Sequence, residues 1–133
     1  MTMEIILIAV LFLHFVADFV CQPYWLKIAK TKRVDALFLH VSIYFFIMAF
    51  GLAYLVGIRE AFYYALINSL AHYIVDAVMG AIITSRSSNL KLDPDPRKPM
   101  FERVDLYFPI LFLGFDQLLH QVCLMATIFL LLV

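Results

Sequence analysis

Four apolar stretches, at about 3–21, 36–58, 61–84 and 106–133, leave few folds open to this 133-residue chain. Each has roughly the 20 residues that an α-helix needs to cross about 30 Å of hydrocarbon. A membrane strand would alternate apolar and polar residues, and FLHVSIYFFIMAFGLAYLV (38–56) does not. The expected fold is therefore all-α: a polytopic membrane protein, one transmembrane domain built as a four-helix bundle. Hydrophobic residues make up 65% of the chain and charged residues 15%, against about 45–50% and about 25% in soluble domains. The first stretch lacks a basic leader, Glu4 being its only early charge, and no small-residue cleavage site follows it. It is expected to be retained rather than removed as a signal peptide.

Net charge is zero and no basic tract points to nucleic acid. The cations are nonetheless sorted. Lys27, Lys30, Lys32 and Arg33 fall between the first two stretches, and Arg86, Lys91, Arg97, Lys98 and Arg103 between the last two. Only Arg59 lies elsewhere. The positive-inside rule then makes loops 22–35 and 85–105 cytoplasmic and turns both termini and the VGIRE turn (56–60) outward. Tyr24 and Trp25 suit an interfacial belt, and the loop cations suit anionic headgroups or an anionic lipid-linked substrate. A second copy of the chain is a further possible partner, although no motif specifies one. The two cysteines, Cys21 and Cys123, do not form a disulfide framework. They read as apolar fillers, with one reservation: Cys21 follows Asp18 by three residues, as Cys123 follows His120.

Ionisable residues inside spans are costly, about 2.5–3.5 kcal/mol each even on lenient insertion scales. This chain places Asp18, Asp76 and Asp116 there, together with all four of its histidines, His14, His40, His72 and His120. Every one of these carboxylates lies four residues from an imidazole, in the pairs His14/Asp18, His72/Asp76 and Asp116/His120. From composition, a given aspartate would have such a neighbour about 6% of the time. Spacing of four puts both side chains on one helical face. Gln22, Asn68 and Gln117 extend the same polar stripes, which must face protein or water rather than lipid. At 1.5 Å per residue the seven groups lie roughly 6–21 Å from the basic ends of their helices, so all four spans can contribute to one half of the bundle. HFVAD (14–18) and HYIVD (72–76) also suggest two hairpins related by an axis along the membrane normal, or else a coincidence over five residues.

Three carboxylates and four imidazoles in a bundle core suit one divalent metal ion or two, with zinc, manganese and iron as the candidates. The expected ligands are His14, Asp18, His40, His72, Asp76, Asp116 and His120, with Gln22, Asn68 and Gln117 behind them. An ion held there acidifies water and so supplies a nucleophile, and a carboxylate or imidazole left over can act as general base. Asp18, Asp76 and His120 are the candidate catalytic residues. Two other readings use the same residues. A proton or metal-ion transporter or channel would string them along a pathway. A non-enzymatic partner of another membrane protein would use them as interhelical glue.

The assembled residues resemble domain-of-unknown-function family 3307, small membrane proteins of bacteria and phages. The resemblance is carried by HFVADFVCQPYW, with His14, Asp18, Phe19, Gln22 and Trp25. His40 opens the second helix, HYIVD follows in the third and FDQLLH (115–120) in the fourth. It implies an inner-membrane, multi-pass protein with periplasmic termini, and marks these polar positions as functional. More distantly, the chain is similar to inner-membrane proteins described as metal-dependent hydrolases. That similarity implies a hydrolase acting on a lipid-linked or membrane-proximal ester or phosphoester.

Overall fold

The computed structural model describes residues 2–87 and 107–131. The first helix, α1 (Met3–Phe15), continues into a π-helical turn at Val16–Val20. A short helix α2 (Tyr24–Ala29) follows, then three long ones: α3 (Val34–Val56), α4 (Ile58–Ser87) and α5 (Tyr107–Leu131). No strand occurs among the described residues. Met3–Val20, Val34–Val56, Ile58–Arg86 and Ile110–Leu131 are long and apolar enough to cross a membrane. Most of loop 85–105, including Lys91, Arg97, Lys98 and Arg103, lies outside the described residues, and α4 itself runs on to Ser87. The first loop is not wholly irregular, because α2 forms inside it.

Local sequence explains the breaks. The wide turn ending α1 is closed by the Cys21 N–H donating to Val16 O at 2.8 Å, five residues back. Pro23 then stops the helix, because it has no N–H and disfavours helical backbone at Gln22. Its own φ of −64° leads into α2. The α3–α4 junction is a single residue, Gly57, at φ 97° and ψ 154°. Only glycine enters that region without strain.

Helix α3 packs along α4, α4 along α5, and α1 against α3; of the helices that touch, α1 and α5 do so most slightly. The distribution of side chains is the reverse of a soluble protein's. Phe12, Phe46, Phe50, Ile74, Leu118 and Phe129 are exposed, whereas His14, Asp18, His40, His72, Asp76 and His120 are buried. Apolar surface on this scale belongs against lipid, and buried polar groups must then find partners inside. One half of the interior is an apolar cluster that includes Val10, Met48, Leu52, Ala61, Leu124 and Ile128. The other half, toward α2, holds the ionisable residues.

A small polar network separates the two halves. Tyr64 Oη donates to Leu124 O at 3.1 Å, and Asn68 Nδ2 donates to Tyr64 O at 3.0 Å. Thr127 Oγ1 lies 2.8 Å from Cys123 O and 3.3 Å from Asn68 Oδ1, with one proton to share between them. Gly57→Ala is expected to destabilise the α3–α4 hairpin by about 1–3 kcal/mol. The check is a lower unfolding temperature in detergent micelles, with an unchanged melting profile contradicting the strain at this residue.

Candidate metal centre

The seven ionisable residues proposed from sequence converge at the α2 end of the bundle. The tightest part involves three segments. Asp18, in the π turn, places Oδ1 3.1 Å from His40 Nε2 of α3 and 3.3 Å from His72 Nε2 of α4. Those two nitrogens are 3.0 Å apart. Asp76 Oδ2, one turn along α4, is 3.4 Å from His40 Nε2 and 3.5 Å from His72 Nε2. Helix α5 brings His120 Nε2 to 3.8 Å from Asp76 Oδ1, and its Nδ1 to 3.8 Å from Asp116 Oδ1. On the other flank, His14 Nε2 is 3.9 Å from Asp18 Oδ2. The spacing of four therefore does what helical geometry requires, keeping each His/Asp pair on one inward face.

Two glutamines orient the cluster. Gln117 Nε2 donates to Asp18 Oδ2 at 3.2 Å and to Asp116 Oδ2 at 3.4 Å, while its Oε1 lies 3.4 Å from His14 Nε2. Gln22 satisfies every neighbour when its nitrogen donates to Asp18 O (3.0 Å) and its oxygen accepts from Lys30 Nζ (3.1 Å) and His40 Nδ1 (3.2 Å). That places the His40 proton on Nδ1 and leaves the Nε2 lone pair facing the cluster. Asn68, the third side chain proposed for this supporting role, instead joins α4 to α5 through Thr127.

Two members were not singled out from sequence. Tyr44, one turn beyond His40, stacks on His72 with ring centroids 4.2 Å apart and planes 15° apart. Its i+4 relation to His40 was the available signal, hidden among neighbouring aromatics. Lys30, at the end of α2, donates to Asp76 Oδ2 at 2.7 Å and to His40 Nε2 at 3.2 Å, and lies 3.9 Å from Asp18 Oδ1. Nothing in the sequence distinguishes it from Lys27, Lys32 and Arg33, which lie in the same loop.

Several lone pairs here point at one another with too few protons between them. Among the described residues, His14 Nδ1, Asp18 Oδ1, His72 Nδ1, Asp116 Oδ1 and both nitrogens of His120 are buried without a hydrogen-bond partner. Orphaned acceptors in a low-dielectric interior are expensive, and an ordered water or a bound cation is what satisfies them. Three sets could hold a cation: His14/Asp18/His72, His40/His72/Asp76 and Asp76/Asp116/His120, each with its ligand atoms within 4.8 Å of one another. The donors are imidazoles and carboxylates throughout, which fits a divalent ion. All seven residues appear in at least one set.

The cluster opens onto a cavity of about 120 Å³ between α1, α2, α4 and α5. Asp18, Asp76, Asp116 and Gln117 form its inner wall, Lys27, Lys30 and Thr31 its α2 side, and Phe19, Met79, Ile83 and Leu113 an apolar flank.

Comparison with known families settles the grouping. A family model described as "Protein of unknown function (DUF3307)" matches residues 6–133. The chain belongs to this family. The match covers every residue of the cluster, from His14 to His120. No curated protein and no solved structure matches the chain. What a DUF3307 chain does has therefore to be argued from the site itself.

The Lys30–Asp76 pair makes a direct prediction. In metal-free protein, Asp76→Asn leaves the ammonium without its nearest counter-charge and should lower unfolding free energy in micelles by about 3 kcal/mol. Adding Lys30→Met should restore most of that loss. Losses that simply add would show that the two residues are not coupled.

Proposed function

We propose that this chain is a metal-dependent hydrolase of the inner membrane, cleaving an ester or phosphoester of a lipid-linked or membrane-proximal substrate. The observation that carries this reading is the conjunction of overlapping imidazole–carboxylate sets, their orphaned lone pairs, and a cavity that adjoins them. The sets His14/Asp18/His72 and Asp76/Asp116/His120 share no residue, which supports a centre with room for two ions of zinc, manganese or iron. A divalent ion, when bound, supplies Lewis acidity to a carbonyl or phosphoryl oxygen and lowers the pKa of water.

The chain's own residues would do the rest. Gln22 and Gln117 fix the rotation of His40, His14 and Asp18, so that ligand lone pairs stay aimed inward. A carboxylate or imidazole of the cluster that a bound ion leaves uncoordinated would accept a proton and return it to the leaving group. Asp18 and Asp76 line the cavity where it meets the cluster. The apolar flank of Phe19, Met79, Ile83 and Leu113 suits the hydrocarbon part of an amphiphilic substrate. With the basic loops in the cytoplasm and the termini in the periplasm, that substrate enters from the cytoplasmic leaflet.

An ion pathway is the less favoured reading, for a structural reason. Among the described residues, the buried side chains beyond the cluster are mostly apolar, Val10, Met48, Leu52, Ala61, Leu124 and Ile128 among them, and Tyr64, Asn68 and Thr127 bond to each other or to backbone. A relay through this half has few polar side chains to use.

Elemental analysis of the purified protein tests the reading. Wild type should carry stoichiometric divalent metal, and Asp76→Ala and His120→Ala should each lose it along with hydrolysis of a phospholipid or phosphoester substrate. Metal retained in both variants, or ion flux into liposomes without hydrolysis, would count against the enzyme. In protein that remains folded, Gln117→Leu should weaken metal affinity about 10–100-fold, read by competition with a fluorescent chelator.

A further inference from the structure

Lys30 holds a position that the metal-dependent reading leaves unexplained. Its ammonium contacts Asp76 and His40 and sits near Asp18, and these three residues all belong to the candidate ligand sets. His40 Nε2 has one lone pair, which cannot serve an ammonium and a metal ion together, so an ion held by the His40/His72/Asp76 set displaces Lys30 from it. The same side chain also lines the cavity, where it is 14% exposed, and Lys27 and Thr31 line that cavity beside it. A lysine has a flexible four-carbon stem and a compact charge with no preferred fork geometry. It can leave a carboxylate without unfolding its helix, and its exit leads into the cavity.

We propose that Lys30 works in two positions, neutralising the carboxylates while no ion is held and binding the anionic group of a phosphoester substrate in the cavity once one is. This rests on the metal-dependent reading and narrows its substrate from esters in general to phosphoesters. Charge accounting is the reason. Three carboxylates, one divalent ion, Lys27 and Lys30 leave a single positive charge when the imidazoles are neutral, matching a phosphodiester. A second ion raises it to three, which also accommodates a phosphomonoester. A neutral carboxylic ester would leave the freed ammonium unpaired beside the metal. Metal and phosphate should therefore assist one another, because each stabilises the arrangement that the other needs.

The test uses full-length protein in detergent, with Mn²⁺ and inorganic phosphate as probes and free Mn²⁺ read by electron paramagnetic resonance. In wild type, phosphate should tighten Mn²⁺ binding. If Lys30 occupies the site about nine-tenths of the time, Lys30→Met should bind Mn²⁺ alone about tenfold more tightly than wild type. It should also lose the phosphate effect. Equal or weaker Mn²⁺ binding by folded Lys30→Met, or an undiminished phosphate effect, overturns the proposal while leaving the metal centre standing. Failure of wild type to bind Mn²⁺ removes both. Should Lys30→Met not fold, amine labelling of Lys30 in wild type decides the matter by peptide mass. Mn²⁺ must raise the labelling and phosphate must lower it again, and labelling indifferent to Mn²⁺ overturns the exchange.

Discussion

Charge cannot be left alone in a low-dielectric interior. Moving a carboxylate or ammonium out of water costs several kcal/mol even after relaxation, and the cost is recovered only where opposite charge and hydrogen bonds meet it closely. Asp18 and Asp76 are buried, and Asp116 is nearly so. They are tolerated because four imidazoles, two glutamine amides and one ammonium surround them. No single helix can direct that many groups at one point, since each presents at most one residue per turn to a given neighbour. The cluster therefore requires all four long helices to converge. In lipid, where apolar surface gives helices little reason to prefer each other, such contacts help decide the packing. Gln117 illustrates this: it ties α5 to α1 across the least intimate contact of the bundle.

Local irregularities serve the same end. The π turn widens the end of α1 where Asp18 must turn inward, and the two buried residues of that turn are Ala17 and Asp18. Pro23 then allows α2 to lie across the end of the bundle, with Leu26 fully buried and Tyr24 and Trp25 outward. Gly80 brings α4 close beneath the link between α2 and α3. A Cβ there would stand 3.4 Å from the Thr31 Cα, ordinary van der Waals contact. Thr84 Oγ1 reinforces the approach by donating to Thr31 O at 3.4 Å. This close passage delivers Lys30, one residue earlier, to Asp76.

Much of this was legible in the sequence, because the signals were strong and local. Twenty-residue apolar runs admit few structures, and a histidine and an aspartate four apart on a spanning helix must share an inward face. What could not be read depended on neighbours distant in the chain. Asn68 continues the His72/Asp76 stripe by spacing, yet small rotations along a helix turn it to Thr127, which it meets across 59 residues of sequence. Lys30 had the composition of a solvated loop and acquires its role only because α2 forms and brings it to Asp76. The π turn has no sequence signature of its own. Positive charge at one end of the bundle has a sufficient explanation in topology, and that explanation masked Lys30, a cation used in the interior.

The ligand chemistry follows from which side chains the fold leaves out. Cys21 and Cys123 echo each other, each three residues beyond a cluster member, and a thiolate among the donors would have pointed toward soft ions. The fold separates them from the cluster: Cys21 is exposed at the end of the π turn, and neither cysteine belongs to a ligand set among the described residues. A spacing of three after Asp18 would bring Cys21 round on a regular α-helix, but the wider turn rotates it outward. The donors that remain are nitrogen and oxygen only. Such a set favours borderline and hard divalent ions and offers little to copper(I). Three carboxylates would offset the whole charge of one divalent ion and most of the charge on two.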